Sequence, residues 1–415
     1  MNEIRDLIVG IDFGRENTQI CYYDRKAEEP RSISMKAGGS QYEAPSCICR
    51  RIEQNDYCVG LEAEYFAREK GAVMIKNLYD ICQKTDPVPI NNDQIMPWEL
   101  LSHFLKGILK FLGIKELVKN IKCVVVTLPG LNEIQVENFR KAFEILGFPD
   151  EKYMLLDYGE SFYYYVFSQK RETWNRSVGW YAFTPEGVTF RKMTMNSSVK
   201  PVFVKLEEPV ETTLPKQPED RDVEFYKFVE KTLEKELFSS IQITGEGFSQ
   251  DWAKQSVKLL CFQRRRVFYG NNLFAKGACA AGKEKLEDRL LKGYCYVSDS
   301  LVMTDVGMEM RVMGSPTYYP LIEAGNNWYD CRAYCEFILD HTEELVFIIS
   351  SFDKPQKRKV GMMLTGLPER PDKTTRIGLE LKYVSPKECR VTAKDLGFGE
   401  MFPSSGKEWT ETVEW

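Results

Sequence analysis

Only two histidines, His103 and His341, occur in 415 residues. Neither lies near a cysteine or an acidic cluster in the sequence, so a histidine-based metal centre or nucleophile–base triad is not expected. The 12 cysteines are scattered and none forms a CxxC pair, which excludes a zinc ribbon. Several sit inside apolar runs such as IKCVVVTL, the setting of a small buried hydrophobe in a reducing compartment. No apolar run approaches the roughly 20 residues that span a bilayer. The start, MNEIRD, is charged, so no secretory leader is expected. Excess positive charge is missing too: 56 Lys and Arg stand against 61 Asp and Glu, for a net charge of −5. That disfavours nucleic acid and anionic membrane as partners. The one dense basic run, Arg264–Arg266, reads as a solvated helix end or domain contact. These absences together point to a cytoplasmic protein.

What is present is a globular composition, 43% hydrophobic and 28% charged, on a chain too long for one core. LIVGIDFGRENTQICYYD reads as strand, Gly-centred turn, strand, with the lone carboxylate of Asp12 at the end of a buried strand. Burying a carboxylate is costly unless something binds it. Apolar spacing near 3.6 over residues 95–118 predicts a helix, and IKCVVVTLPG a buried strand. Residues 133–146 read as a helix closed by Gly147. SVGWYAFTPEGVTFRKMTM reads as a second hairpin, so an internal duplication is expected. LEEPVETTLPKQPEDRD, residues 205–221, reads as a polar linker. From about residue 292 short alternating segments predict an antiparallel β-sandwich, with Ile377, Leu379, Leu381 and Tyr383 pointing inward.

The order of these motifs resembles the actin, sugar kinase and DnaK superfamily, and the DnaK-type heat-shock chaperones most closely. GIDFGRENT resembles the first phosphate loop, VVVTLPGLNEIQ the strand and proline that relay nucleotide state, and IQITGEGF the adenosine loop. FAKGACAAG resembles the small-residue helix that lets two helices cross. LTGLP at 364–368 and AKD at 393–395 are similar to the end of the chaperone peptide-binding sandwich. The resemblance implies an α/β actin-like ATPase fold with duplicated ribonuclease-H-like halves and one reduced subdomain over 1–290. An all-β sandwich resembling a chaperone peptide-binding domain is then expected over 291–415, with the linker 205–221 replacing a subdomain.

If nucleotide binds, the resemblance implies Asp12, Gly14, Arg15, Thr18, Lys76, Glu160, Gly187, Thr189, Gly245 and Gly247 as its residues. Asp12 would then hold magnesium through water, with Mg-ATP or Mg-ADP as the ligand. Several positions depart from the family pattern. Arg15 and Glu16 stand where chaperones have threonines, and Tyr158 stands where an acid opens the aromatic helix, with Glu160 two residues on. In TPEGVTF, Thr184 replaces the acid, and Glu186 and Val188 replace two glycines, adding like charge and Cβ bulk beside the phosphates. Ordinary ATP turnover is therefore not expected, no catalytic residue is assigned, and no cofactor is required. The reading is a pseudo-ATPase that serves as a protein-binding or scaffolding module. The alternative is an ATP-binding switch or weak ATPase with a reorganised site.

The sandwich is expected to bind extended protein segments through loop-forming stretches carrying Met308, Met310, Trp328 and Tyr329. Methionine suits adaptable apolar grooves, and the aromatic pair is either an anchor or a plug. No helical pattern follows the sandwich, so a helical lid is not expected and a bound segment would leave quickly.

Overall fold

The computed structural model describes residues 6–36, 39–234, 236–351 and 357–414. The first five residues, read above as part of a charged start, lie outside them. The chain is a mixed α/β protein that divides into two compact units, Met1–Ser298 and Asp299–Trp415.

In the first unit, among the described residues, two sheets repeat one plan. The strand Leu7–Phe13 pairs antiparallel with Asn17–Asp24 on one side and parallel with Ile121–Leu128 on the other. Tyr153–Asp157 and Glu29–Ser32 flank them. In the second sheet Ser177–Phe183 pairs antiparallel with Gly187–Asn196 and parallel with Phe238–Thr244. Arg266–Tyr269 and Val202–Leu206 flank these. Strand order and direction are the same in both sheets. Leu7–Phe13 is buried along its whole length, which is why it reads as an unbroken apolar run and not as an alternation.

Two helices lie across these strands. Tyr158–Phe167 crosses Leu273–Lys283 where a Cβ on Gly277 would overlap the Ser161 carbonyl oxygen. Ser161 Oγ donates to the Phe274 carbonyl at 2.7 Å, closing the same crossing. On its other face Leu273–Lys283 meets Gly10, whose missing side chain admits the Ala275 carbonyl. Small residues here are a packing requirement, as the sequence motif implied.

Two expectations are corrected. Residues 205–221 are not a linker. They contain the strand Val210–Thr213, which pairs with Gly187–Asn196, and the first turn of the helix Pro218–Leu233. Polar composition misled because Val210–Thr213 is a solvated edge strand with no buried face. The boundary also falls later than residue 290: Tyr294–Val297 adds to the second sheet beside Val202–Leu206.

The second unit is built of two four-stranded antiparallel sheets. One runs Ser315–Ile322, Thr304–Val312, Glu344–Ser351, Lys357–Met363. The other runs Arg332–Ile338, Arg376–Tyr383, Glu388–Gly397, Glu408–Glu414. Ile377, Leu379, Leu381 and Tyr383 are buried, with Glu380 exposed between them. The hydroxyls of Thr304 and Tyr383 meet at 2.8 Å across the two sheets.

Candidate functional site

The first hairpin, the second hairpin and the loop after Phe238–Thr244 converge in the first unit. Phe13 anchors the first, fully buried and edge-on to Phe104 and Phe139 at centroid distances of 5.4 and 5.7 Å. This fixes Asp12 beside the first turn of the helix Tyr158–Phe167. Asp157 caps that helix by accepting from Glu160 N–H at 2.7 Å, which leaves Tyr158 as its first residue. Tyr158 Oη donates to Asp12 Oδ1 at 2.6 Å. Its ring stacks on Phe274 at 3.9 Å. Burial pushes the Asp12 carboxyl up to about 7, opposed by the Tyr158 hydrogen bond and reinforced by Glu43. Burial and the adjacent Asp12 push the Tyr158 phenol well above its ordinary value, so it is a neutral donor.

The other expected residues of this hairpin are already engaged. Thr18 Oγ1 meets Ser46 Oγ at 2.8 Å, and Ser46 Oγ donates to the Gly14 carbonyl at 2.8 Å. Gly14 N–H closes the turn onto the Asn17 carbonyl. Arg15 pairs with Asp80 at 3.2 Å and lies 4.5 Å over the Tyr79 ring. Asn17 Nδ2 donates to Glu246 Oε1 at 3.3 Å, joining the first hairpin to the third loop.

Glu160 and Lys76 do not join Asp12. Glu160 is buried and pairs with Lys285 at 3.0 Å, so Tyr158 and not Glu160 faces the carboxylate. Lys76 is exposed just after the strand Val73–Ile75 and makes no hydrogen bond or ion pair with these groups among the described residues.

The second hairpin is covered by Val210–Thr213. Gly187 pairs with Thr213, and a Cβ on Gly187 would run into the Thr212 carbonyl, which lies 2.5 Å from that position. Thr189 Oγ1 donates to Glu211 Oε1 at 3.3 Å. Gly245 and Gly247 are glycines because their loop passes directly against the Phe183 and Thr184 carbonyls. Arg221 then ties this region together. Its guanidinium donates to the Pro185, Pro215, Thr184 and Gly247 carbonyls at 3.0 to 3.2 Å and lies 5.1 Å from the Trp252 ring centre. Burial pulls its pKa down, with Glu186 pushing back. Sequence reading missed Arg221 because it lay in the supposed linker. The signal was there: Pro218 followed by Glu219 and Asp220 is a helix start.

Chemically, these loops present a phenol on Asp12, a covering strand on Gly187 and an arginine bound to backbone carbonyls. Among the described residues there is no group of three His, Cys, Asp or Glu that could hold a metal ion. No helix among them is long and apolar enough to cross a membrane.

In the second unit an open cleft of about 1190 Å³ separates parts of the two sheets. Met308, Met310 and Met313 line one side; Cys335, Phe337 and Leu339 line the other. The stretch around Met308–Val312, expected as a loop, is a strand, and the turn comes at Met313–Gly314, both with positive φ. Met313 is fully exposed. Trp328 and Tyr329 are not among the lining residues. Trp328 is 4% exposed in a tight turn held by its N–H to the Ser300 carbonyl, so it is a core residue and not a surface anchor.

With this geometry in place, comparison with known proteins adds a family. Residues 29–299 match the C-terminal model of a family of unknown function, DUF5716. The chain belongs to that family. Residues 301–415 match a separate domain of unknown function, DUF8552. The change from one to the other falls beside the Ser298/Asp299 division between the two compact units, so the DUF5716 match and the first unit share their end. No curated protein matches the chain.

Proposed function

We propose that this DUF5716 protein binds extended apolar protein segments through its second unit, and that its first unit is an actin-like scaffold that turns over no nucleotide. The observation that carries the reading is the methionine-lined cleft of the sandwich. Unbranched thioether side chains adapt to varied apolar partners, and exposed strand edges offer main-chain hydrogen bonds to an extended chain. The repeated strand order of the first unit supports descent from the actin, sugar kinase and DnaK superfamily.

The scaffold half of the reading rests on Tyr158, Val210–Thr213 and Arg221. A magnesium nucleotide needs free acidic oxygens for the metal's water shell and backbone N–H groups for phosphate. The residues present do not fit that group: Asp12 is capped by a phenol, and the second hairpin and third loop turn carbonyls toward Arg221.

A peptide-array screen tests the binding half. Apolar segments are expected to bind, and Met310→Glu is expected to abolish binding without unfolding, because Met310 is only half-buried. Calorimetric titration with Mg-ATP and Mg-ADP tests the scaffold half. No heat at millimolar nucleotide is expected; magnesium-dependent binding lost in Asp12→Ala would overturn it.

A further inference from the structure

The second unit leaves two strand edges open on the same side. Lys357–Met363 ends one sheet and Glu408–Glu414 ends the other. Within one copy they lie over each other and run in opposite directions. Arg358, near the start of the first, donates to the Glu414 carbonyl at the end of the second at 3.0 Å. Trp409, near the start of the second, donates to the Thr365 carbonyl just past the end of the first at 2.9 Å. Leu364 N–H meets the Glu343 carbonyl, so Arg358, Val360 and Met362 bond to the inner neighbour, and the main-chain groups of Lys359, Gly361 and Met363 point outward. Asp395 N–H meets the Lys407 carbonyl, which turns those of Glu408, Thr410 and Thr412 outward in the same way. All six residues are exposed, and their outward groups have no main-chain partner among the described residues. The opposite edge of the first sheet, Ser315–Ile322, differs: Pro316 and Pro320 have no N–H to offer.

The two edges carry opposite charge. Lys357, Arg358 and Lys359 open the first; Glu408, Glu411 and Glu414 are spread along the second, all six exposed. Two like edges would set cation against cation or glutamate against glutamate, which is destabilising. We infer that two copies of this chain associate edge to edge, Lys357–Met363 of each copy pairing antiparallel with Glu408–Glu414 of the other. A two-fold axis along the strands, midway between the layers, makes both pairings at once and joins the two sandwiches through continuous sheets. Because the two strands already run antiparallel at matched heights within one copy, this operation sets Lys359 opposite Glu414 of the second copy, Gly361 opposite Thr412 and Met363 opposite Thr410, outward group to outward group. The Glu414 carbonyl keeps a second lone pair for its new donor. Charges on the flanking strands fit this pairing. Glu344 leans over Gly361 toward the row that carries Arg390 beside Thr412. Glu388 stands beside Glu414 and adds to the acid that meets the lysines. Lys394 lies 3.9 Å from Glu408, and Lys407 is turned to the Gly366 carbonyl. Lys359 and Glu344 also line the cleft, but the inference does not rest on the peptide-binding reading.

Charge reversal with rescue tests this on the full chain, by sedimentation velocity over a concentration series. Wild type is expected to sediment at twice the 48.1 kDa chain mass. Lys357→Glu with Lys359→Glu, and separately Glu411→Lys with Glu414→Lys, are each expected to weaken association roughly tenfold or more. Mixing the two double variants is expected to restore the dimer, since each altered edge then meets the opposite charge. Thr412→Pro removes one outward N–H and no ladder bond within the copy, and is expected to weaken association as well. Thermal melts confirm that the variants fold. A wild type that stays monomeric up to about 100 µM would overturn the inference. So would a dimer that neither reversal nor Thr412→Pro weakens, which would place the contact on another surface. A mixture of the two reversed variants that remains monomeric would overturn the pairing of unlike edges.

Discussion

Tyr158 Oη lies 2.6 Å from Asp12 Oδ1, and this bond closes the acidic end of the first hairpin. It joins residues 146 positions apart in the chain. Asp12 is 6% exposed, and buried Phe274 stacks behind the half-buried phenol. A carboxyl in such a place prefers to be neutral.

Stability should therefore depend on pH through Asp12. Its folded value, about 7, lies above the ordinary 3.8, so the folded state binds the extra proton between them. That contribution is fully present below about pH 4 and is lost as the pH rises through 7. Asp12→Asn keeps the shape and cannot ionise. The difference in Tm between variant and wild type should shift in the variant's favour from pH 5 to pH 8; a difference that stays constant across this range refutes the assignment.

Tyr158→Phe removes the donor and leaves the carboxyl buried without a partner. The expected cost is about 1–3 kcal/mol, larger at pH 8 than at pH 5 because the ionised form suffers more. Combining it with Asp12→Asn should give less than the sum of the two single effects, measured by urea unfolding.

Arg221→Lys keeps the charge and loses the planar fork that reaches four carbonyls. Hydrogen exchange should quicken selectively over residues 184–187 and 245–248. Unchanged protection there would mean that the loops hold themselves.

Gly277→Ala pushes a methyl group into the Ser161 carbonyl at the helix crossing. Overpacking of this kind costs about 1–3 kcal/mol. A lower denaturation midpoint with an unchanged slope is the expected result.

Arg370→Ala strands Asp395. The pair is bidentate at 2.8 Å, with Ser405 also donating to the carboxylate. Burial alone would raise the Asp395 carboxyl; Arg370 and Ser405 hold it well below the usual range. Removing one partner of a buried pair costs about 3–5 kcal/mol. Asp395→Asn strands the buried Arg370 guanidinium in the same way, and combining it with Arg370→Ala should cost less than the sum of the two single effects. In wild type, stability from this pair is present above the ordinary carboxyl value and lost only as the pH falls toward the depressed one.

Local pattern carried much of this protein. The buried strands Leu7–Phe13 and Ile121–Leu128, the alternation of Ile377 to Tyr383 and the small-residue helix around Gly277 were all legible, because each reflects spacing within one element. The duplication was legible because two hairpins were each followed by a buried strand. Residues 205–221 were misread because an edge strand buries no face and so leaves no apolar period. Trp328 was left open between anchor and plug because turn residues beside it hid how deeply its ring is buried.

What tertiary structure alone decided is which distant groups meet. The sequence placed an acid at Asp12 and an aromatic at Tyr158, but only the packing of the helix Tyr158–Phe167 against the first sheet brings the phenol to the carboxylate. Arg221 finds the Thr184 and Gly247 carbonyls through contacts between segments far apart in the chain. Periodicity reports the environment of one element; hydrogen-bond satisfaction is settled between elements, where sequence spacing sets no distance.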